Sequence, residues 1–172
     1  MFNFKVKSIV HDYEVQFIDD VKKTLNESLR EGDFIIIDNN VKELYLEVFK
    51  DTLYKYAHIG IDATEKQKSY QEVTPIIQQL IDNGFRKNHR LIAVGGGSPI
   101  DVAKAINVLS SNSGSPEDYV TGKIKVESKG KPFIAIPTTS GSGSEATKFA
   151  VIYIDKTKYS LSLTISSHSK SS

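Results

Sequence analysis

The sequence predicts an α/β fold in which helices flank a parallel β-sheet. Two continuous apolar runs, residues 34–37 (FIII) and 91–94 (LIAV), are typical of strands buried on both faces, as in parallel sheets. The stretches between them repeat apolar residues at intervals of three and four, which is the spacing of helices. Residues 91–101 join a strand, three glycines and a helix start, the unit that such folds repeat.

Strands and helices alternate in the first half of the chain. Residues 1–7 alternate apolar and polar side chains and predict an opening strand, while residues 14–30 carry apolar residues at helical spacing. After the strand at 34–37, a second helical pattern covers residues 41–48, and residues 58–61 predict a weaker third strand. This order indicates a parallel sheet.

The helix before the second apolar run has two possible starts. Ser69 with Glu72 would form a capping box, whereas Thr74 followed by Pro75 would supply a cap and a first-turn proline. Either start leaves the same apolar face, formed by Val73, Ile76, Ile77, Leu80 and Ile81.

The last third of the chain contains a further strand and a change of composition. The largely apolar residues 100–109 predict an interior helix, and residues 133–136 predict a short strand. We expect one domain over residues 1–159, followed by a serine-rich end, residues 160–172, that forms a frayed strand or a poorly ordered tail.

Residues 95–97, here named the glycine turn, predict an anion site. Ser98 suits the N-cap of the following helix, Pro99 suits its first position, and Asp101 lies three residues after the cap. Unpaired N–H groups and the positive end of the helix dipole would face one point, which favours a phosphate or pyrophosphate. The alternative is a turn with a purely structural role.

Asp38 lies at the carboxyl end of a predicted strand. Ligands of open α/β sheets bind beyond these ends, and an acidic residue there commonly binds the hydroxyls of an adenosine ribose. Such a carboxylate would repel the additional phosphate of NADP, so we expect NAD as the cofactor. The alternative is that Asp38 caps the next helix.

A segment rich in serine, threonine and glycine follows the strand at 133–136. It covers residues 138–145 (TTSGSGSE) and is named here the Ser/Thr segment. Small hydroxyl side chains and glycines at a strand end supply hydrogen-bond donors and permit close approach of a ligand. The alternative is a flexible linker.

The composition excludes several classes of protein. The 172 residues are 25% charged and 39% hydrophobic, with a net charge of +1, which gives no indication of a nucleic-acid or membrane partner. No cysteine is present, so disulfides and thiolate metal sites are excluded, and we expect a cytoplasmic protein. The N-terminus does not have the pattern of a signal peptide. The four histidines, His11, His58, His89 and His168, lack the spacing of metal ligands.

Two motifs resemble the N-terminal, nucleotide-binding half of the iron-containing (group III) alcohol dehydrogenases. They are residues 95–104 (GGGSPIDVAK) and residues 132–147 (PFIAIPTTSGSGSEAT). The superfamily also contains glycerol dehydrogenase and 3-dehydroquinate synthase. Glu65 and Lys68 resemble the Glu-x-x-Lys segment of the dehydroquinate synthase branch, so the branch is left open.

This resemblance implies a Rossmann-like NAD(P)-binding domain over residues 1–159. The glycine turn would bind the pyrophosphate, Asp38 the adenosine ribose, and the Ser/Thr segment the nicotinamide side; Glu65 and Lys68 would join them in the synthase branch. The implied cofactor-binding residues are Asp38, Gly95, Gly96, Gly97, Ser98, Asp101, Thr138, Thr139, Ser142 and Lys158.

In this family a following all-helical domain holds iron or zinc, which polarises the oxygen of an alcohol or aldehyde substrate. We expect that domain to be absent from this chain and the chain to be inactive alone. The alternatives are a dehydroquinate synthase-type cyclase acting on a sugar phosphate, and a non-catalytic nucleotide-binding module. We also expect a homodimer that pairs along the opening strand.

Overall fold

The computed structural model describes residues 3–7, 13–86 and 88–164. Short 3₁₀ turns lie at Lys66–Lys68 and Ser144–Ala146. The longer elements, in chain order, are β1 (Asn3–Val6), β2 (Tyr13–Gln16), α1 (Val21–Ser28), β3 (Phe34–Asp38), α2 (Asn39–Leu44), α3 (Leu46–Lys55), β4 (Ala57–Ile61), α4 (Tyr70–Asp82), β5 (Leu91–Gly95), α5 (Gly97–Leu109), α6 (Pro116–Val120), β6 (Phe133–Pro137), β7 (Phe149–Ile154) and β8 (Thr157–Ser162).

A four-stranded parallel sheet of order β4-β3-β5-β6 forms the centre of the molecule. Successive side chains of a strand point to opposite faces, so Ile36 and Ala93 enter one core, with α4 and α5, while Ile35 and Ile92 enter the other, with α1 and α3. Helices therefore cover both faces of the sheet. This confirms the predicted Rossmann-like α/β architecture.

Helix α5 lies between the sheet and an antiparallel hairpin formed by β7 and β8. Every residue of α5 from Pro99 to Leu109 is buried. The hairpin contributes Ala150, Ile152 and Leu161 to the core around this helix. The predicted interior position of the helix is confirmed.

The predicted helix over residues 14–30 is wrong in its first part. Tyr13–Gln16 forms β2, which pairs antiparallel with β1, and α1 begins only after Asp20. The Asp20 side chain accepts a hydrogen bond from the Lys23 amide at 2.9 Å and so fixes the helix start. The opening strand therefore belongs to a two-stranded ribbon and not to the parallel sheet.

Helix α4 follows the earlier of its two possible starts. The Ser69 hydroxyl accepts a hydrogen bond from the Glu72 amide at 3.3 Å, and Pro75 lies inside the helix. Thr74, the alternative cap, instead donates its hydroxyl to the Tyr70 carbonyl at 2.8 Å.

The predicted boundary at residue 160 falls inside a strand. Residues 160–162 belong to β8 and pair with β7. The apolar side chain of Leu161 is 2% exposed and packs in the core, which stabilises this end of the strand. Residues 165–172, the rest of the predicted tail, lie outside the described residues.

A buried ion pair joins the amino-terminal ends of β3 and β5. The Arg90 guanidinium donates to both carboxylate oxygens of Asp33, at 3.0 and 2.5 Å, and to the Ser28 carbonyl at 2.6 Å. Asp33 is 3% exposed and also accepts from the Arg30 amide at 2.8 Å. These contacts fix the edge of the sheet opposite to the predicted anion site.

Candidate functional site

The carboxyl ends of three parallel strands bring most of the predicted site residues together. Asp38 ends β3, Gly95 ends β5, and Pro137 ends β6 directly opposite Gly95. The Thr138 amide donates to the Gly95 carbonyl at 3.0 Å, so the Ser/Thr segment begins beside the glycine turn. In open α/β sheets this edge is where ligands bind.

The glycines of the turn are required by backbone conformation and by close neighbours. Gly95 has φ of 152°, and a Cβ placed on it would lie 2.8 Å from Pro99 Cγ and 3.0 Å from Asp38 Cβ. A Cβ on Gly96 would lie 3.0 Å from Thr139 Oγ1, and one on Gly97 would lie 3.1 Å from Ser142 Cβ. A side chain on Gly96 or Gly97 would therefore collide with the Ser/Thr segment, and one on Gly95 would collide with Pro99 and Asp38.

Ser98 is not the N-cap of α5, which corrects the prediction. Gly96 occupies the cap position, the helix starts at Gly97, and Pro99 is its third residue. The glycines adopt the turn themselves, so the helix begins earlier than the Ser-Pro pair suggests. Among the described residues no side chain caps α5, nor α3 or α6, whereas Asp20, Asp38 and Ser69 cap α1, α2 and α4. The first N–H groups of α5, those of Gly97 and Ser98, therefore have no side-chain partner in this part of the chain.

Asp101, predicted to contact the cofactor, forms buried ion pairs below the glycine turn. It is 5% exposed, and its two carboxylate oxygens lie 3.4 Å from Lys68 Nζ and 3.2 Å from Lys104 Nζ. Lys68 comes from the short 3₁₀ turn before α4, so Asp101 connects that turn to α5. The geometry gives Asp101 a structural role; direct contact with a cofactor stays a prediction.

Lys104 is the site residue for which sequence reasoning assigned no role. Its ammonium donates to the Ser144 carbonyl at 2.7 Å, the Thr147 hydroxyl at 3.0 Å and the Phe149 carbonyl at 2.5 Å. Burial lowers the pKa of Lys104, and the Asp101 carboxylate opposes this effect. A lysine inside an otherwise apolar helix was the available signal, because a buried lysine requires partners.

Asp38 caps helix α2, which is the alternative role that the sequence offered for it. One carboxylate oxygen, Oδ1, accepts from the Asn40 amide at 2.9 Å at the start of α2, and the residue is 6% exposed. The other oxygen makes no hydrogen bond within the described part of the chain, and capping leaves it available. Nearby, the side-chain Nδ2 of Asn39 donates to Asp62 Oδ1 at 2.7 Å, just after the end of β4.

Of the Ser/Thr segment, Thr139 and Ser142 lie directly against the glycine turn; their contact with a cofactor stays a prediction. Lys158 is different. It is exposed on β8 opposite Tyr153, and within the described residues it makes no hydrogen bond to the glycine turn. The Tyr153 hydroxyl donates to Glu65 at 3.3 Å, so Lys158 lies near the Glu-x-x-Lys segment.

Within residues 3–7, 13–86 and 88–164, no three histidine, aspartate or glutamate side chains converge in a group suited to holding a metal ion. None of the helices in this part combines the length and apolar character needed to cross a bilayer.

Comparison with known proteins identifies the family. The family model for iron-containing alcohol dehydrogenases matches residues 13–169. A 4-hydroxybutyrate dehydrogenase from Clostridium kluyveri is 35% identical over 126 residues, which are 70% of this chain and 30% of that protein. The matches cover at most 30% of the length of the curated relatives.

Two solved structures share the fold. Sulfoacetaldehyde reductase from Bifidobacterium kashiwanohense, solved with NAD⁺, has a TM-score of 0.64 and 24% identity over 83% of this chain and 38% of that one. A 2-deoxy-scyllo-inosose synthase, solved with carbaglucose-6-phosphate, NAD⁺ and Co²⁺, has a TM-score of 0.69 and 17% identity over 95% of this chain and 44% of that one. With the family match over residues 13–169, the chain belongs to the iron-containing alcohol dehydrogenase family.

Proposed function

We propose that the chain binds NAD(H) at the carboxyl edge of β3, β5 and β6, as the nucleotide-binding half of a metal-dependent alcohol dehydrogenase. The observation that supports this most strongly is the juxtaposition of the glycine turn, the uncapped start of α5 and the Ser/Thr segment. A pyrophosphate would accept hydrogen bonds from the Gly97 and Ser98 amides and lie at the positive end of the α5 dipole.

The rest of the edge suits the other parts of a dinucleotide. Asp38 Oδ2, the oxygen that does not cap α2, would accept hydrogen bonds from the adenosine ribose. Thr138, Thr139 and Ser142 would contact the nicotinamide side. When bound, NAD⁺ supplies the acceptor for a hydride from a small alcohol, or NADH the donor to an aldehyde. The residues of this chain bind and orient that cofactor.

Titration with NADH tests the proposal. The chain contains no tryptophan, so binding is followed by NADH emission, with circular dichroism to establish that the sample is folded. We expect saturable binding that ADP-ribose displaces. A folded sample that leaves NADH emission unchanged up to millimolar cofactor contradicts the proposal.

Replacing Asp38 with asparagine should reduce the preference for NADH over NADPH by about tenfold, since removing one like charge near a phosphate is worth roughly 1.4 kcal/mol. Asparagine is also a good N-cap, so the contact to the Asn40 amide is preserved. The measurement is the ratio of the two dissociation constants.

Asp38→Gly, which removes both the cap and the charge, should change that ratio in the same direction. If NADPH binds the native chain more tightly than NADH, or if both Asp38 variants keep the native ratio, the role of Asp38 in cofactor selection is wrong.

The chain alone should bind NADH without oxidising alcohols. The resemblance to the family implies that the metal ligands belong to a following helical domain. The described residues offer no cluster that fits iron or zinc. The assay follows NADH formation at 340 nm with small alcohols, in the presence of Fe²⁺ or Zn²⁺. Metal-dependent turnover by the purified 172-residue chain would contradict this expectation.

A cyclase of the dehydroquinate synthase type is the second candidate. It is favoured by the placement of Lys68 against Asp101 and of Glu65 against Tyr153, next to the proposed cofactor site. In a longer protein containing this chain, a sugar phosphate would then release phosphate without net NADH formation. Net, alcohol-dependent NADH formation favours the dehydrogenase.

Three further expectations stay predictions. They are a cytoplasmic location, the lack of a nucleic-acid partner, and a homodimer formed along the β1–β2 ribbon. Phe4 and Phe17 support the last of these, because their rings pack 6.1 Å apart and both are about half exposed (49% and 58%).

A further inference from the structure

The Ser/Thr segment lacks the usual means of holding a loop in place. Among its residues only Gly143 and Ser144 are even partly buried, and the segment contributes no apolar side chain to either core. Its position therefore depends on hydrogen bonds. Among the described residues, two hydrogen bonds connect the segment to distant parts of the chain: the Thr138 amide donates to the Gly95 carbonyl, and the Ser144 carbonyl accepts from Lys104 Nζ.

Lys104 Nζ lies among acceptors from both sides of the site. On its own helix it is 3.2 Å from Asp101 Oδ1. Across the gap it donates to the Ser144 carbonyl, and just beyond the segment to the Thr147 hydroxyl and the Phe149 carbonyl. An ammonium group has three N–H donors, and burying it is costly unless they are used. The contacts thus hold the end of the Ser/Thr segment on α5.

The same helix begins with the glycine turn, so the hydrogen bonds of Lys104 connect the glycine turn, through α5, to the end of the Ser/Thr segment. Thr139 and Ser142 approach Gly96 and Gly97 so closely that an added methyl group would meet them at 3.0–3.1 Å. Lys104 itself lies two turns further along α5, with 5% exposure, and does not enter that space.

We infer that Lys104 is a positioning residue: it binds no cofactor but holds the Ser/Thr segment at the spacing that NAD(H) requires. The inference rests on the proposed function for its binding consequence. The ordering of the segment is a separate consequence that can be measured without any cofactor.

The test compares Lys104→Met with Lys131→Met. Lys131 is the matched control. Burial lowers its pKa as it does that of Lys104, although Lys131 is only partly buried, and it contacts Ser110, Ser111 and Phe85 away from the site. Three quantities are measured for each: hydrogen–deuterium exchange of residues 138–148 without cofactor, the NADH dissociation constant, and the free energy of unfolding.

We expect Lys104→Met to increase exchange in residues 138–148 by tenfold or more and to weaken NADH binding by at least tenfold. Lys131→Met should leave the exchange of residues 138–148 and the NADH affinity at native values, even if it lowers the free energy of unfolding as much as Lys104→Met does. If Lys104 contributed only to overall stability, the two variants would show similar changes in exchange and in NADH binding.

Thr147→Val keeps the test decisive if Lys104→Met does not fold. It removes one acceptor, 3.0 Å from Lys104 Nζ, from an exposed residue, so the fold should tolerate it. We expect a severalfold increase in exchange of the same residues and severalfold weaker NADH binding.

Native exchange rates for residues 138–148 in the folded variants would overturn the inference, as would native NADH affinity. Should the native chain bind no NADH, the proposed function fails, and the exchange measurement by itself decides whether Lys104 orders the segment.

Discussion

Replacing Gly96 with alanine should weaken NADH binding by tenfold or more while the chain remains folded. Gly96 has φ of −80° and ψ of −163°, which alanine adopts without strain. The added methyl group would lie 3.0 Å from Thr139 Oγ1, in the space between the glycine turn and the Ser/Thr segment. Since the pyrophosphate would need that close approach to the backbone, even one methyl group obstructs it.

Gly130→Ala is the matched control for this prediction. A Cβ on Gly130 would also be crowded, at 2.8 Å from Asn107 Nδ2, but near the amino-terminal end of β6. It should reduce stability without changing the NADH dissociation constant. Equal affinities of native chain and Gly96→Ala would show that the cofactor does not approach this part of the turn.

Replacing Arg90 with methionine should lower the free energy of unfolding by about 3–5 kcal/mol, because it leaves the Asp33 carboxylate buried without its partner. Asp33 is only 3% exposed and accepts two hydrogen bonds from Arg90. The variant also removes the donor to the Ser28 carbonyl, which connects α1 to the sheet. Urea unfolding followed by circular dichroism gives the change.

Lys22→Met provides the comparison. Its partner Asp51 lies 2.9 Å away in an exposed pair, which water and salt screen, so the loss should be much smaller. If Arg90→Met and Lys22→Met were equally stable, the buried pair would not be what holds the starts of β3 and β5 together.

The sheet and the site edge could be predicted because their signals are local. Strands buried on both faces need continuous apolar runs, and β3 and β5 have them; the partly buried edge strand β6 has a short apolar run as well. Glycines between a strand and a helix identify the turn, and the residues after each of these strands must meet at one edge of a parallel sheet. Asp38, the glycine turn and Thr139 could be assigned to that edge without coordinates.

The predictions were wrong where a local residue preference was outweighed by its neighbours, or where a strand pattern and a helix pattern were adjacent in the sequence. Ser98 and Pro99 are good residues for a helix start, yet the glycines before them already adopt the helical turn, and Gly96 becomes the cap. Residues 13–16 carry the alternation of a strand, but the helical spacing that follows them masked it.

The ion pairs between residues far apart in sequence could not have been predicted. Asp101 meets Lys68 across 33 positions of sequence, and Asp33 meets Arg90 across 57. A single sequence does not state which charged residues pair over such separations; only the packing of α5 against the turn before α4, and of β3 beside β5, brings them together.

The burial of α5 on all sides has a consequence for how a ligand reaches the site. A helix enclosed between a sheet and a hairpin cannot rotate or shift without disrupting both, so the amides of Gly97 and Ser98 form a fixed wall. On the opposite side lies the largely solvent-exposed Ser/Thr segment, whose Ser144 carbonyl accepts a hydrogen bond from the Lys104 ammonium group. We therefore expect entry and departure of the ligand to occur by displacement of that loop, with the helix serving as the stationary reference.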